Sequence, residues 1–271
     1  MKSKKGLVSP YLLWSSAFII IPLCMVFFYG ITDKTGAFTL SNITAISNPE
    51  HLKALWLSLL LSFISTIICL ILAYPLAMIL ANMNVNQNSF IVLIFILPMW
   101  MNFLLRTLAW QTLLEKTGVI NNILFYLHLP KINVINTPYA IVFGMVYNFL
   151  PFMVLPIYNV LIKIDKNVVN AAHDLGANGI QTLIKIIFPL SIPGVISGIT
   201  MVFVPALTSF VISNLLGGSK ILLIGNVIEQ EFTQASNWNL GSGLSIVLML
   251  FIIISMIFTT IFDKNGEGTS L

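Results

Sequence analysis

The fold of this chain is decided by one polar stretch between long apolar segments, Asn170-Ala171-Ala172-His173-Asp174-Leu175-Gly176. Asp165 precedes the stretch and is placed to cap a helix, because a carboxylate accepts the unpaired N–H groups of a first helical turn. Gly176 suits the left-handed position at which helices end. Asn178 and Gln181 then have the spacing of a capping box for a second helix. The segment is therefore predicted to fold as helix, break, helix.

Apolar spacing predicts how the two helices are oriented. In the first helix Val168, Ala172 and Leu175 share one face. In the second helix the predicted buried face consists of Ile180, Leu183, Ile184 and Ile187. Ala171 and Ala172 are small enough for another protein to approach the backbone. Asp174 lies near a helix C-terminus, where the macrodipole disfavours an anion by roughly 0.3–1 kcal/mol, and a basic group on a partner would explain its presence.

The composition around this stretch is that of a membrane protein. The chain is 58% hydrophobic and 8% charged, whereas soluble domains are about 25% charged. Residues 54–105 contain no charged residue and no histidine. A spanning helix needs about 20 apolar residues, so this segment holds two. An all-α membrane protein is predicted, because β-barrel strands alternate in segments of about ten residues. The six predicted spans are 11–31, 54–81, 89–108, 138–162, 190–212 and 243–262.

Charge at the N-terminus sets the predicted orientation. Lys2, Lys4 and Lys5 precede the first span and favour a cytoplasmic N-terminus. Six spans then place the C-terminus and the 163–189 loop in the cytoplasm as well. The predicted organisation is a tail at 1–10, a membrane domain at 11–262 and a second tail at 263–271. The net charge of +4 reflects this membrane bias and does not indicate nucleic-acid binding.

Catalytic and metal-binding chemistry is not expected. The segment Gly217-Gly218-Ser219-Lys220 lacks the glycine and lysine spacing that wraps a nucleotide phosphate. His51, His128 and His173 have no cysteine or histidine at metal-ligand spacing. The sequence therefore predicts that the chain is not an enzyme and binds neither a metal nor a cofactor.

The stretch at 170–189 resembles the coupling loop of type-I ABC importer permeases. The pattern of that family is Glu-Ala-Ala, three residues, Gly, nine residues, Ile, one residue, Leu-Pro. This chain keeps the spacing, with Asn170 in place of the glutamate and Phe188 in place of the leucine. The resemblance implies a six-helix permease fold driven by a separate ATPase. It also implies that the ATPase-coupling residues are Asn170, Ala171, Ala172, Asp174, Gly176 and Pro189.

Three other segments, 97–110, 214–220 and 225–232, are similar to those of permeases of spermidine/putrescine importers. Polyamines are polycations, and aromatic faces attract ammonium groups by roughly 0.5–2 kcal/mol. The expected pathway residues are Trp100, Trp110, Tyr147, Asn148, Glu229, Glu231 and Trp238. Two alternatives stay open: the tryptophans form an interfacial belt, or Glu231 and Trp238 contact a binding protein. Since no acidic residue lies within a span, a mid-membrane site would use amides (Asn102, Asn148 and Asn159).

The resemblance also implies a set of partners. These are a homologous second permease, two copies of an ABC ATPase that uses ATP with Mg, and an extracytoplasmic polyamine-binding protein. The expected location is the cell membrane of a prokaryote. The alternatives are an ABC permease for another small solute, a secondary carrier, or a non-transporting scaffold; only the ABC permeases need a loop shaped for an ATPase.

One packing motif remains unassigned by sequence. Gly194 and Gly198 in the fifth span have GxxxG spacing, which lets helix backbones approach closely. The motif fits contact with a second permease or contact within the same chain.

Overall fold

The computed structural model describes residues 10–83, 97, 99–218 and 220–267 of the chain. The regular secondary structure of these residues is helical. The helices of six or more residues are α1 (Pro10–Gly30), α2 (Pro49–Asn82), α3 (Phe103–Leu114), α4 (Val119–Tyr126), α5 (Pro138–Leu161), α6 (Lys166–Asp174), α7 (Gly179–Thr208), α8 (Val211–Leu216), α9 (Ile224–Thr233) and α10 (Trp238–Glu267). Within the described residues, α1, α2, α5, α7 and α10 are long and apolar enough to cross a membrane.

The predicted third span at 89–108 falls partly outside the described residues. Its described end differs from the prediction, because a helix begins anew at Phe103 and continues to Leu114. The side chain of Asn102 causes this start by accepting hydrogen bonds from the N–H groups of Leu104 (2.9 Å) and Leu105 (3.3 Å). Those groups would otherwise have no partner at a helix N-terminus. The predicted helix is therefore interrupted at 101–102 and continues beyond residue 108.

Two π-helical turns stand at the same distance from a proline. The turn Ser16–Ile20 precedes Pro22, and the turn Leu183–Ile187 precedes Pro189. A proline has no N–H to donate to the carbonyl four residues earlier, and that carbonyl lies inside the π turn in both cases. The wider turn thus carries each helix through its proline without a break. As a result, the second helix of the 163–189 segment and the fifth span form one helix, α7.

Contacts divide the chain into two compact units, Met1–Leu55 with Asn226–Ile253 and Trp56–Gly225 with Ile254–Leu271. The hydrophobic core of the second unit is built mainly from α2, α5 and α7. Its fully buried side chains include Met145, Met153 and Ile157 of α5. This core fixes the relative positions of these helices, and α5 among them carries candidate site residues.

In the first unit, two side-chain amides hold the end of α1. Asn42 Nδ2 donates to the carbonyls of Gly30 (3.3 Å) and Thr32 (2.8 Å). Asn239 Nδ2 donates to the carbonyls of Tyr29 (3.2 Å) and Thr32 (2.7 Å). The last carbonyls of a helix have no partner within it, so these amides satisfy them and fix where the chain leaves α1.

In the second unit, α5 packs closely against α7 through the GxxxG pair. A Cβ added to Gly194 would lie 2.9 Å from the carbonyl oxygen of Pro156 and 3.1 Å from Cα of Ile157. A Cβ added to Gly198 would lie 3.2 Å from the carbonyl oxygen of Met153. Both glycines thus serve backbone contact within this chain, which decides between the two possibilities that the motif offered.

Candidate functional site

The 163–189 segment starts with a capped helix that ends at a glycine. Asp165 accepts a hydrogen bond from the N–H of Asn167 (2.9 Å), which confirms it as the N-cap of α6. At the other end Gly176 has a φ of 84°. Its N–H donates to the carbonyl of His173 (2.9 Å), and the N–H of Ala177 donates to that of Ala172 (2.9 Å). These two bonds form a Schellman motif, so the predicted left-handed end is confirmed.

The predicted capping box of the second helix is also confirmed. Asn178 Oδ1 accepts from the N–H of Gln181 (2.9 Å), and Gln181 Oε1 accepts from the N–H of Asn178 (3.0 Å). Each side chain satisfies a group that the first turn of α7 leaves unpaired. The break between α6 and α7 is therefore a short and tightly specified turn.

The capping box gives a first testable prediction. Asn178→Ala removes the side-chain acceptor and should destabilise the start of α7 by about 1 kcal/mol. Hydrogen exchange measured on the purified protein should become faster at the amides of Gln181 and Thr182. Asn170→Ala, an exposed position on α6, is the matched control and should leave this exchange unchanged. Equal exchange in the two variants would contradict a stabilising role for the box.

The predicted buried face of the second helix is wrong. Ile180 and Ile184 are 70% and 61% exposed, whereas Thr182 is buried. Leu183 and Ile187 are only partly buried. The periodicity correctly indicates an apolar face, but burial needs a packing partner, and the π turn at Leu183–Ile187 shifts the later positions around the helix.

Most of the residues predicted to couple to an ATPase are accessible. Asn170, Ala171, Asp174 and Gly176 are exposed, and Ala172 is buried. Leu175, next to this group, is 90% exposed. Ile180 and Ile184 are exposed too, so this segment has several exposed apolar side chains. Pro189, the last residue of the motif, lies inside α7 two residues after the end of the π turn.

A second group of predicted residues meets where α3 contacts α5. The Trp110 ring makes edge-to-face contacts with Phe143 (4.6 Å between centroids) and Tyr147 (5.1 Å). Asn148 follows Tyr147 and donates from Nδ2 to the hydroxyl of Thr107 (3.5 Å). The structure thus brings together three of the predicted pathway residues. Trp100 is 75% exposed, and among the described residues no ring contact joins it to this group.

Sequence reasoning missed Phe143 and Thr107 in this group. Phe143 and Tyr147 are four residues apart on α5, as Thr107 and Trp110 are three apart on α3. Both spacings place side chains on one helix face. That signal was present, but it could not indicate that the two faces meet.

The remaining predicted residues lie in the first unit. Glu229 and Glu231 of α9 are half-buried, and Glu229 Oε1 accepts from the hydroxyl of Thr233 (3.0 Å). Trp238 is half exposed and its ring lies edge-on to that of Phe232, with 5.4 Å between centroids. Both glutamates therefore keep part of their surface exposed within their unit.

Comparison with known proteins agrees with the geometry. Residues 55–265 match the family described as "Binding-protein-dependent transport system inner membrane component". The chain is 36% identical to the spermidine/putrescine transport system permease protein PotB of Haemophilus influenzae over 263 residues, which cover 93% of this chain and 92% of the relative. It is 37% identical over 245 residues to the PotB protein of Escherichia coli, covering 88% and 89%.

A solved structure shows the same fold at low identity. The crystal structure of a bacterial alginate ABC transporter, in complex with a periplasmic protein bound to an alginate pentasaccharide, contains a chain with a TM-score of 0.79 and 15% identity. The match covers 96% of this chain and 93% of that one. The fold is therefore that of type-I ABC permeases. By sequence and by fold, the chain belongs to the binding-protein-dependent transport system inner membrane components, the permease subunits of ABC transporters.

Proposed function

We propose that this chain is a permease subunit of an ATP-driven importer that carries the polyamines spermidine and putrescine into a prokaryotic cell. The observation that carries the proposal is the 36% identity, across nearly the whole chain, to a permease named for those two solutes. The aromatic and amide side chains at the α3–α5 contact support the same cargo, because polycations bind to π faces and carbonyl oxygens.

The proposed topology has six spans and cytoplasmic termini, with tails at 1–10 and 263–271. The 163–189 segment then faces the cytoplasm. Its support is the exposure of Leu175 and of the coupling residues around it. In this arrangement α6 and the capped start of α7 form the surface on which an ATPase subunit docks.

The proposed cycle needs four kinds of subunit. A binding protein delivers the polyamine outside the membrane, and this chain with a homologous second permease forms the pathway. Two ATPase copies bind ATP with Mg, and their closure moves the coupling loops, which opens the pathway outward. Hydrolysis resets it. The loop is the two-state element that couples nucleotide binding to the distant pathway.

Glu229 and Glu231 are proposed to attract the polyamine at the outer mouth. Replacing both with glutamine removes two charges with little change in shape, so the apparent KM for spermidine should rise, while Vmax stays near that of the wild type. The test is uptake of radiolabelled spermidine over a range of concentrations. A matched control is Glu50→Gln, a carboxylate in the first turn of α2. Unchanged KM in the double variant would remove both carboxylates from the route.

Uptake in cells tests the proposed function itself. A host without polyamine transport is given the partner subunits with and without this chain, and labelled spermidine is measured. Uptake that depends on the chain, and that putrescine but not amino acids or sulfate competes, is the expected result. ATPase activity of the assembled complex without any polyamine uptake would keep the permease and reject the cargo.

A further inference from the structure

The side-chain amide of Asn148 is held in one orientation inside the second unit. Only 1% of the residue is exposed. Its Nδ2 donates to the carbonyl of Gly144 (2.9 Å) and to the hydroxyl of Thr107 (3.5 Å). A carbonyl can only accept, so the nitrogen must face Gly144 and Oδ1 must point away from it. The hydroxyl of Thr107 itself donates to the carbonyl of Phe103 (2.9 Å), which leaves it as an acceptor for Asn148.

The oxygen of this amide is a buried acceptor without a donor. Among the described residues, none donates a hydrogen bond to Asn148 Oδ1. Buried polar atoms are nearly always paired, so each exception needs an explanation. Pro151 lies three residues further along α5 and has no N–H to offer the carbonyl of Tyr147. The unpaired atom of Asn148 itself is an oxygen that lacks a donor.

The neighbouring side chains favour a cation as the missing donor. Trp110 lies one helical turn after Thr107 on α3, and its ring contacts Tyr147. Aromatic faces attract ammonium groups, whereas unpaired oxygen acceptors repel anions. Arg106 is buried as well, and it has contacts of its own. The face of α3 that carries Thr107 and Trp110 thus suits a primary ammonium.

The other two amides considered for the pathway have different roles. Asn102 is occupied as the N-cap of α3, where its oxygen accepts two backbone hydrogen bonds. Asn159 is exposed near the end of α5. Of the three, Asn148 alone has its oxygen among the buried atoms without a partner in the described structure.

We propose that Asn148 Oδ1, on the part of α5 that meets Thr107 of α3, is an internal subsite for one primary ammonium group of the transported solute. Thr107 is a positioning residue, because its hydroxyl holds the amide so that the oxygen stays free. This subsite rests on the proposed polyamine function and adds to it a specific contact in the membrane interior. The subsite is closed to solvent in this structure, so the ammonium reaches it when α3 and α5 separate.

Binding of radiolabelled spermidine to the purified complex of permeases and ATPases tests the subsite directly, with the binding protein left out. A hydrogen bond to a charged group is strong enough that Asn148→Ala should weaken binding about tenfold. Asn148→Asp should tighten binding, because it puts a carboxylate opposite the ammonium. Asn159→Ala, the same change at an exposed position of α5, should bind like the wild type.

The outcomes separate the subsite from the proposed function. A wild-type complex that takes up no spermidine in proteoliposomes would overturn the proposed function and the subsite with it. Normal wild-type uptake with equal binding by Asn148→Ala and Asn159→Ala would overturn the subsite alone. Weakening by Asn148→Ala and Asn148→Asp to the same extent would show a purely structural amide and overturn it too.

A second pair of variants covers the case in which Asn148 variants do not accumulate. Thr107→Val keeps the shape and removes the hydroxyl, so it should weaken binding several-fold. Thr107→Ser keeps the hydroxyl and should restore binding. Equal affinities in these two variants would overturn the positioning role and the orientation on which the subsite depends.

Discussion

Gly176→Asp is expected to abolish polyamine uptake while the protein still inserts into the membrane at normal levels. Gly176 has a φ of 84°, and a residue with a Cβ costs about 1–2 kcal/mol in that conformation. The added Cβ itself meets open space, so the damage comes from the backbone and from a new charge at the end of α6. Because the Schellman motif sets the direction in which the chain turns toward α7, its loss moves the surface proposed to meet the ATPase.

The control for this experiment lies three residues further on. Gly179 has no positive φ and also has open space around its Cβ position. Gly179→Asp thus adds the same charge to the same loop without backbone strain, and it should retain most of the uptake. Immunodetection in isolated membranes checks insertion of both variants. Normal uptake by Gly176→Asp, or equal loss in both variants, would contradict the role assigned to the left-handed turn.

Gly194→Leu is expected to destabilise the second unit. Even the Cβ would lie 2.9 Å from the carbonyl oxygen of Pro156, and the rest of the side chain has to separate α5 from α7. Replacing glycine gains about 1 kcal/mol in helix propensity. Overpacking costs about 1–3 kcal/mol, and backbone atoms on the opposite side give way less readily than side chains. The net effect is destabilising.

Thermal unfolding of the detergent-solubilised protein measures this effect. The midpoint for Gly194→Leu should fall by roughly 4 °C or more, since each 1 kcal/mol shifts Tm by roughly 2–4 °C in a chain of this size. Gly179→Leu makes the same substitution in the same helix where a Cβ meets open space, and it should unfold at or above the wild-type temperature. A wild-type midpoint for Gly194→Leu would mean that α5 and α7 are not in close backbone contact.

The parts of the fold that sequence predicted well are those set by near neighbours in the chain. The cap at Asp165, the left-handed Gly176 and the box of Asn178 with Gln181 each depend on residues within four positions. All the side chains that form such a cap or turn are close together in the sequence, so their pairing can be read from it. The sequence therefore predicted the helix, break and helix of the 163–189 segment.

Burial and long-range contact were predicted less well, because they depend on elements far apart in the chain. Ile180 and Ile184 have the spacing of a buried face and are exposed. The GxxxG motif indicated a close contact, but only the structure identifies Pro156 and Ile157 as its partners. In the pathway group, Trp110 and Tyr147 were predicted separately, and their contact follows from the way α3 meets α5.

The second helix of the 163–189 segment and the fifth span are one continuous helix, and this continuity has a mechanical consequence. At about 1.5 Å per residue, the 30 residues of α7 form a rod roughly 45 Å long. Since no flexible linker separates the capping box from the GxxxG contact, a push on one end of the rod displaces the other. Pro189 cannot donate one of the helix hydrogen bonds, and the π turn before it lets the helix continue through this position. A displacement of the capped end is therefore expected to pass along α7 to the place where Gly194 meets the backbone of α5.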